Sequence, residues 1–328
     1  TPLAKVVGMD FRESPREEGL YRTAFYRSRL ANSAWLTGGL SLFGYDCKPL
    51  LPRFNQAFRK LGPGGIVYEM VLEKWESRFL PNMSVRRAVV EAEQVDPEAS
   101  SPTVTDIIIP VMETDGTGAR LADRPVVITV PDALPRFFTQ DTVIRCSGEE
   151  ALEELLEGDL RRGVFVEESE RLSVIGDRSV LPVTDYRLPI TDYGSFNPGS
   201  EQEIIEHFNE LQTANRILDL DFGNPNQVRL TIEITIPSLL VMTDVWHPDW
   251  SATVNRKPAR LLRVNYLQRG LWLEKGRHEV IMTFVPHSWR IGRWGTLAGL
   301  LVVTLLLIFG KWRNQLDHKI PSTVSRHP

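Results

Sequence analysis

"QVRLTIEITI", Gln227–Ile236, alternates apolar and polar side chains along its whole length. Val228, Leu230, Ile232, Ile234 and Ile236 fall on one side, and Gln227, Arg229, Thr231, Glu233 and Thr235 on the other. Successive side chains of a strand point to opposite faces, so this pattern predicts a strand with one face in a core and one in water. Downstream, "SLLVMTDVW", "ARLLRVNYLQRGLWL" and "HEVIMTFVP" read as further strands separated by "NRKP" and "EKGR". Strands at this spacing, divided by Gly/Pro turns, predict an antiparallel β-sandwich.

Within it, "VWHPDWSATVNRKP", Val245–Pro258, reads as a bend and a hairpin. Pro248 precedes the bend, "SATV" continues as a strand, and "NRKP" reverses the chain, with Asn255 tolerant of positive φ. "ARLLRVNYLQRG" is expected to pair back. Trp246 and Trp250 then cap the sandwich end or pack beneath it; the alternative is an exposed platform for stacking sugars.

Upstream of the sandwich the periodicity becomes helical. "GEEALEELLEGDLRRG" sets Leu152, Leu155, Leu156 and Leu160 on one face, with an acidic start and Arg161-Arg162 at the end, both favourable to a helix macrodipole. Ser200 and Glu203 fit a capping box, followed by Ile204, Ile205, Phe208 and Leu211 at helical spacing. Nearer the start, "LYRTAFYRS" reads as a strand and "LLPRFNQAFRKLGPGG" as a helix with Leu50, Phe54 and Phe58 in one stripe. "VDPEASSP" has linker composition, and "TDIIIPV" and "PVVITV" read as short buried strands. The expected fold is α+β: an N-terminal α/β segment over 1–110, then an antiparallel sandwich with one or two packed helices over 111–290.

The far end has another character. "WGTLAGLLVVTLLLIFG", Trp294–Gly310, carries no charge and is flanked by Arg290 and Arg293 before it and Lys311 and Arg313 after it. From Ile291 to Trp312 a helix reaches roughly 33 Å, enough for a hydrocarbon core of ~30 Å. Trp289, Trp294 and Trp312 stand where interfacial aromatics are expected. Residues 291–312 are therefore expected to span a membrane, leaving a polar tail over 313–328. Lys275, Arg277, Arg290 and Arg293 on one side balance Lys311, Arg313, Lys319 and Arg326 on the other, so positive charge does not choose an orientation.

The composition bounds the function. Over 328 residues, 42% hydrophobic and 24% charged content describe a folded chain, and a net charge of −4 supplies no basic field for nucleic acid. Cys47 and Cys146 form no CxxC pair; a single bridge and two separate thiols both stay open. The opening "TPLAKVVGMDF" has neither a basic nor an apolar leader region, which reads as a processed start or the continuation of a longer polypeptide.

Motifs for chemistry are sparse. The six histidines form neither HExxH nor H-x-H, so no metal site is signalled. Asp219 and Asp221 make a D-x-D pair of the kind that holds a divalent cation, here weighed with His247 as a minor alternative. "GPGG" and "DGTG" are turns without P-loop chemistry, and no G-x-S-x-G elbow occurs. Asn82-Met83-Ser84 matches a glycosylation sequon by pattern alone.

Several blocks together resemble YfhO-type bacterial membrane proteins. These are "LLVMTDVWHPDWSATVNRKPARLLRVNYLQRGLWLEKGRHEVIMTFVPHSWRIG" leading into the apolar helix, "PDALPRFF" (Pro131–Phe138) and "NSAWLTGGLSLFGYD" (Asn32–Asp46). They span most of residues 20–310 in the expected order. Asp249 stands where that family has Gly, and Asn255-Arg256 where it has Asp-Gly, which leaves the bend feasible but weakens a ligand role for the loop. The resemblance implies an extracytoplasmic accessory part and last membrane helix of a GT-C-type transferase in the bacterial cytoplasmic membrane. Its partners would be the lipid bilayer, a polyprenyl-phosphate sugar and a cell-envelope glycan acceptor, with the catalytic carboxylate outside this chain. No cofactor is expected. The ligand-binding candidates are Trp246, His247, Asp249, Trp250, Tyr45 and Asp46. The alternative is a single-span module that binds glycans or envelope proteins without catalysis.

Overall fold

The protein is α+β. The computed structural model describes residues 21–25, 52–61, 78–91, 104–105, 125–130, 132–168, 190–192, 194, 197, 199–224 and 226–317. A four-stranded sheet joins β1 (Arg22–Phe25), β2 (Val85–Glu91), β3 (Val104–Thr105) and β4 (Pro125–Thr129) in the order β1-β2-β4-β3. A seven-stranded sheet follows from β5 (Phe137–Gln140), β6 (Val143–Cys146), β7 (Val164–Glu167), β8 (Ile190–Asp192), β11 (Ser238–Met242), β14 (Leu262–Val264) and β15 (Gln268–Leu273). The remaining strands, β9 (Arg216–Asn224), β10 (Gln227–Ile234), β12 (Trp250–Val254), β13 (Lys257–Ala259) and β16 (Gly276–Phe284), form a five-stranded antiparallel sheet. The helices are α1 (Pro52–Leu61), α2 (Phe79–Asn82), α3 (Gly148–Leu156), α4 (Glu201–Ala214) and α5 (His287–Asp317).

Strand β11 shows how these parts stack. All its residues are buried, and they divide by parity between two cores. Leu239 and Val241 join Phe54, Phe79, Leu152, Leu155 and Phe208 on the side of α1, α2, α3 and α4. Leu240 and Met242 join Val228, Leu230, Ile232, Val280 and Met282 of the five-stranded sheet. A period of two in a strand apolar on both faces requires cover on both faces. The seven-stranded sheet is thus the middle layer, with helices on one face and the second sheet on the other. The helix-side core draws on residues from both sides of position 110, because Phe54, Ala57 and Phe79 pack with Ile144 and Leu152.

The two-residue periodicity of β10 is realised, with Val228, Leu230, Ile232 and Ile234 buried and Arg229 and Glu233 exposed. Ile236, expected on the same inward face, is instead exposed. The ladder stops at Ile234 because Asn215 captures the next amides: its Oδ1 accepts from Thr235 N at 2.8 Å and Ile236 N at 3.1 Å.

Three other expectations are corrected. The sheet opposite β10 is mixed, since β6 pairs in parallel with β7 and β8; α3 carries the chain back to the starting end before β7 forms. The run "ARLLRVNYLQRG" is not one strand. Of the run, only Ala259, the last residue of β13, pairs back with β12, through a turn in which Asn255 (φ 51°) and Arg256 (φ 65°) are both left-handed. A second such turn at Asn265 and Tyr266 then joins β14 to β15 in the other sheet. Finally, "GEEALEELLEGDLRRG" is not a single helix. α3 ends at Leu156, and Gly158 turns so tightly that a Cβ there would lie 2.8 Å from the Glu154 carbonyl oxygen. Arg161 and Arg162 therefore pair with Asp159 and Glu154 rather than extending the helix end.

The capping box expected at Ser200/Glu203 forms on α4, and α3 carries a second one, at Ser147/Glu150. The other end of α3 is closed from outside. Buried Asn82 donates its side-chain amide to the carbonyls of Leu155 at 3.0 Å and Gly158 at 2.9 Å. The sequon asparagine is thus a helix cap shut inside the core. Its replacement leaves those acceptors unmet, a cost of about 1–3 kcal/mol. Asn82→Ala is expected to lower stability by that amount in a urea titration of the full chain, and an unchanged midpoint would contradict the cap.

Cys146 is a free, buried thiol, while Cys47 lies outside the described residues. Burial, reinforced by the carboxylates of Glu150 and Glu167, pushes the Cys146 thiol up to about 12. A thiol so protonated reacts slowly. Mass spectrometry after N-ethylmaleimide treatment at pH 8 should find the Cys146 peptide unmodified in the native chain and modified in urea. Rapid native labelling would show the packing to be wrong.

Candidate functional site

The residues that connect β11 to β12 form a tight bend. Trp250 N donates to the His247 carbonyl at 3.0 Å, and Asp249 N donates to His247 Nδ1 at 3.1 Å. Trp246 N donates to the Leu267 carbonyl at 2.6 Å, tying the bend to the middle sheet. These bonds give the amides of Trp246, Asp249 and Trp250 partners in a loop that has no ladder of its own.

Each indole is already engaged. The Arg269 guanidinium lies 3.8 Å from the Trp250 ring centroid, and that ring packs at 5.3 Å against Phe284. Arg263 sits 5.2 Å from the Trp246 ring. His247 meets Phe284 edge to face at 5.4 Å. Trp250 also borders the core between the two sheets, so much of its surface is spent on packing. A sugar would have to use what Arg269 and Phe284 leave uncovered.

Arg269 organises the bend. It is 4% exposed, and its Nε and Nη2 donate to the Val245 carbonyl at 3.2 and 3.0 Å. Nη1 reaches the Met242 sulfur at 3.4 Å. Burial pulls this guanidinium down to about 9, so it stays charged at neutral pH. The charge is held by a carbonyl, a thioether and an indole face, and cation–π attraction is worth ~2 kcal/mol when desolvated.

Asp249 has a different task. Its Oδ2 accepts from His287 N at 3.1 Å, and its carbonyl accepts from Val285 N at 3.0 Å. His287 opens α5, whose first amides have no partner within the helix. A carboxylate there satisfies one of them and favours the positive end of the dipole. Asp249 is thus the cap of the apolar helix, supplied from a distant loop.

The other sequence candidates lie elsewhere. Asp219 and Asp221 are exposed on edge strand β9, three strands from β12 in the order β13-β12-β16-β10-β9, or roughly 14 Å at the usual strand spacing. The fold does not bring them to His247, and no group of three or more His, Cys, Asp or Glu able to hold a metal occurs among the described residues. Tyr45 and Asp46 lie outside the described residues. Sequence reasoning found the loop but missed Arg269, Arg263 and Phe284. The available signal was Arg269 itself, which shares parity with Leu271 and Leu273 on an otherwise apolar face.

Comparison with family models, with curated proteins and with solved structures finds no match for the chain.

Two substitutions separate the roles. Asp249→Ala should cost about 1 kcal/mol, the usual worth of a cap, and speed deuterium uptake around His287 while leaving β12 protected. Arg269→Ala should cost more, about 2–4 kcal/mol, since it removes the stack and orphans the Val245 carbonyl. Equal, loop-wide loosening in both variants would contradict this division.

Proposed function

We propose that the chain is the extracytoplasmic accessory part and membrane anchor of a YfhO-type, polyprenyl-phosphate-sugar-dependent transferase of the bacterial cytoplasmic membrane. In this reading it binds acceptor or partner and performs no transfer itself. One observation carries the anchoring: α5 follows β16 after only Val285 and Pro286, and residues His287–Phe309 are long and apolar enough to cross a bilayer with none of that window buried against the protein. Leu306, Leu307 and Phe309 are each at least 67% exposed, a cost that water would impose in full and hydrocarbon would remove. A buried core helix, the competing explanation of such a run, would be covered.

Family and substrate rest on the ordered sequence blocks. The hydrogen-bonded bend, with its indoles engaged by Arg263, Arg269 and Phe284, supports a scaffold or binding role over a catalytic one. The half-buried indoles of Trp246 and Trp250 are the observation that favours the second reading, a single-span glycan-binding module.

The experiment reconstitutes the full chain in vesicles containing a polyprenyl-phosphate sugar. The chain should resist alkaline carbonate extraction, and the lipid-linked sugar should be recovered unconsumed when a glycan acceptor is added. Release by carbonate would refute the anchor; turnover would refute the accessory role.

A further inference from the structure

With α5 as a bilayer span, on which this step rests, the depth of the 245–250 loop can be estimated. Crossing the hydrocarbon takes about 20 residues, so the uncharged run Trp294–Gly310 needs about three more. Taking them after Gly310 would draw in Lys311 and Arg313; taking them before Trp294 draws in Arg293 alone. The second choice buries less charge, and the single cation can snorkel. It puts the hydrocarbon boundary near Ile291, and His287 about 6 Å above it at 1.5 Å per residue. The headgroup layer of one leaflet is roughly 5–8 Å thick, so His287 lies inside it.

The loop is fixed to that level. Asp249 Oδ2 is 3.1 Å from His287 N, and the Asp249 carbonyl holds Val285 N at 3.0 Å. His247 and Trp250 pack on Phe284, the last residue of β16, at 5.4 and 5.3 Å. The chemistry also suits the level. Indole and imidazole present an apolar body with a polar edge, the profile favoured at membrane interfaces. The loop's one carboxylate is occupied by the α5 amide, which leaves it less exposed to lipid phosphate.

We propose that residues 246–250 are a second membrane contact, seated among phospholipid headgroups, so that the sandwich is docked on the leaflet at two points rather than tethered by α5 alone. The occupant of this surface is the bilayer that α5 crosses. The turn at Asn255 and Arg256 closes the opposite end of β12 from Trp250, roughly 16 Å along the strand at ~3.3 Å per residue.

The test uses the full chain with Cys47→Ser, reconstituted in phosphatidylcholine vesicles, and a nitroxide placed one site at a time by Pro248→Cys, Ser251→Cys, Arg256→Cys or Leu301→Cys. Power saturation with oxygen and a water-soluble nickel chelate reports depth. The expected result is Leu301 accessible to oxygen, Arg256 to nickel, and both Pro248 and Ser251 at an intermediate depth with at least a threefold loss of nickel accessibility relative to Arg256. Ser251 guards against disturbance of the bend at Pro248. Loop labels as nickel-accessible as Arg256, with Leu301 still in hydrocarbon, would overturn the contact and leave the anchor standing. Nickel-accessible Leu301 would overturn the anchor and the contact with it. Loop labels shielded from both reagents would place a second copy of the chain there and would also overturn the lipid contact.

Discussion

The fold depends on a sheet that must be covered twice. β11 sends Leu239 and Val241 one way and Leu240 and Met242 the other, and neither pair can be left in water. At 1.5–3 kcal/mol for each large apolar side chain removed from water, the two faces carry most of the driving force for assembly. Helices α1 to α4 answer one face and the five-stranded sheet answers the other. Because β12 and β16 end side by side at Trp250 and Phe284, the second sheet also determines where the apolar helix leaves the domain.

That exit is where the bend at 245–250 acquires its purpose. Arg269 rises from the middle sheet to hold the Val245 carbonyl and the Trp250 ring, and Asp249 passes the constraint to His287. Sandwich, bend and helix are linked by directional bonds rather than by an unstructured tether. The arrangement is one of mechanical support for the bend and the start of α5.

Much of this was legible in the residues, for identifiable reasons. Gln227–Ile234 and Ser200–Glu203 announce themselves because strand period and capping chemistry are local properties. The apolar run after Trp294 is legible because solvent preference needs no partner. The failures are non-local. Nothing within "ARLLRVNYLQRG" shows that the chain changes sheets at Arg260-Leu261, or that a left-handed turn at Asn265-Tyr266 divides it. The early end of α3 was written in Gly158, but its cap comes from Asn82, far away in the chain. At the candidate site the aromatic cluster was visible and its occupants were not, since Arg269 and Phe284 arrive from other strands.

The central claim is that the sandwich and α5 form one rigid unit joined through Asp249. Double electron–electron resonance between nitroxides placed by Arg256→Cys and Leu301→Cys, in the full chain in bilayers, measures this directly. A rigid junction predicts one narrow distance distribution that broadens when Asp249→Ala is added. A distribution already broad with Asp249 in place would mean that the helix swings freely from the sandwich, and the account would be contradicted.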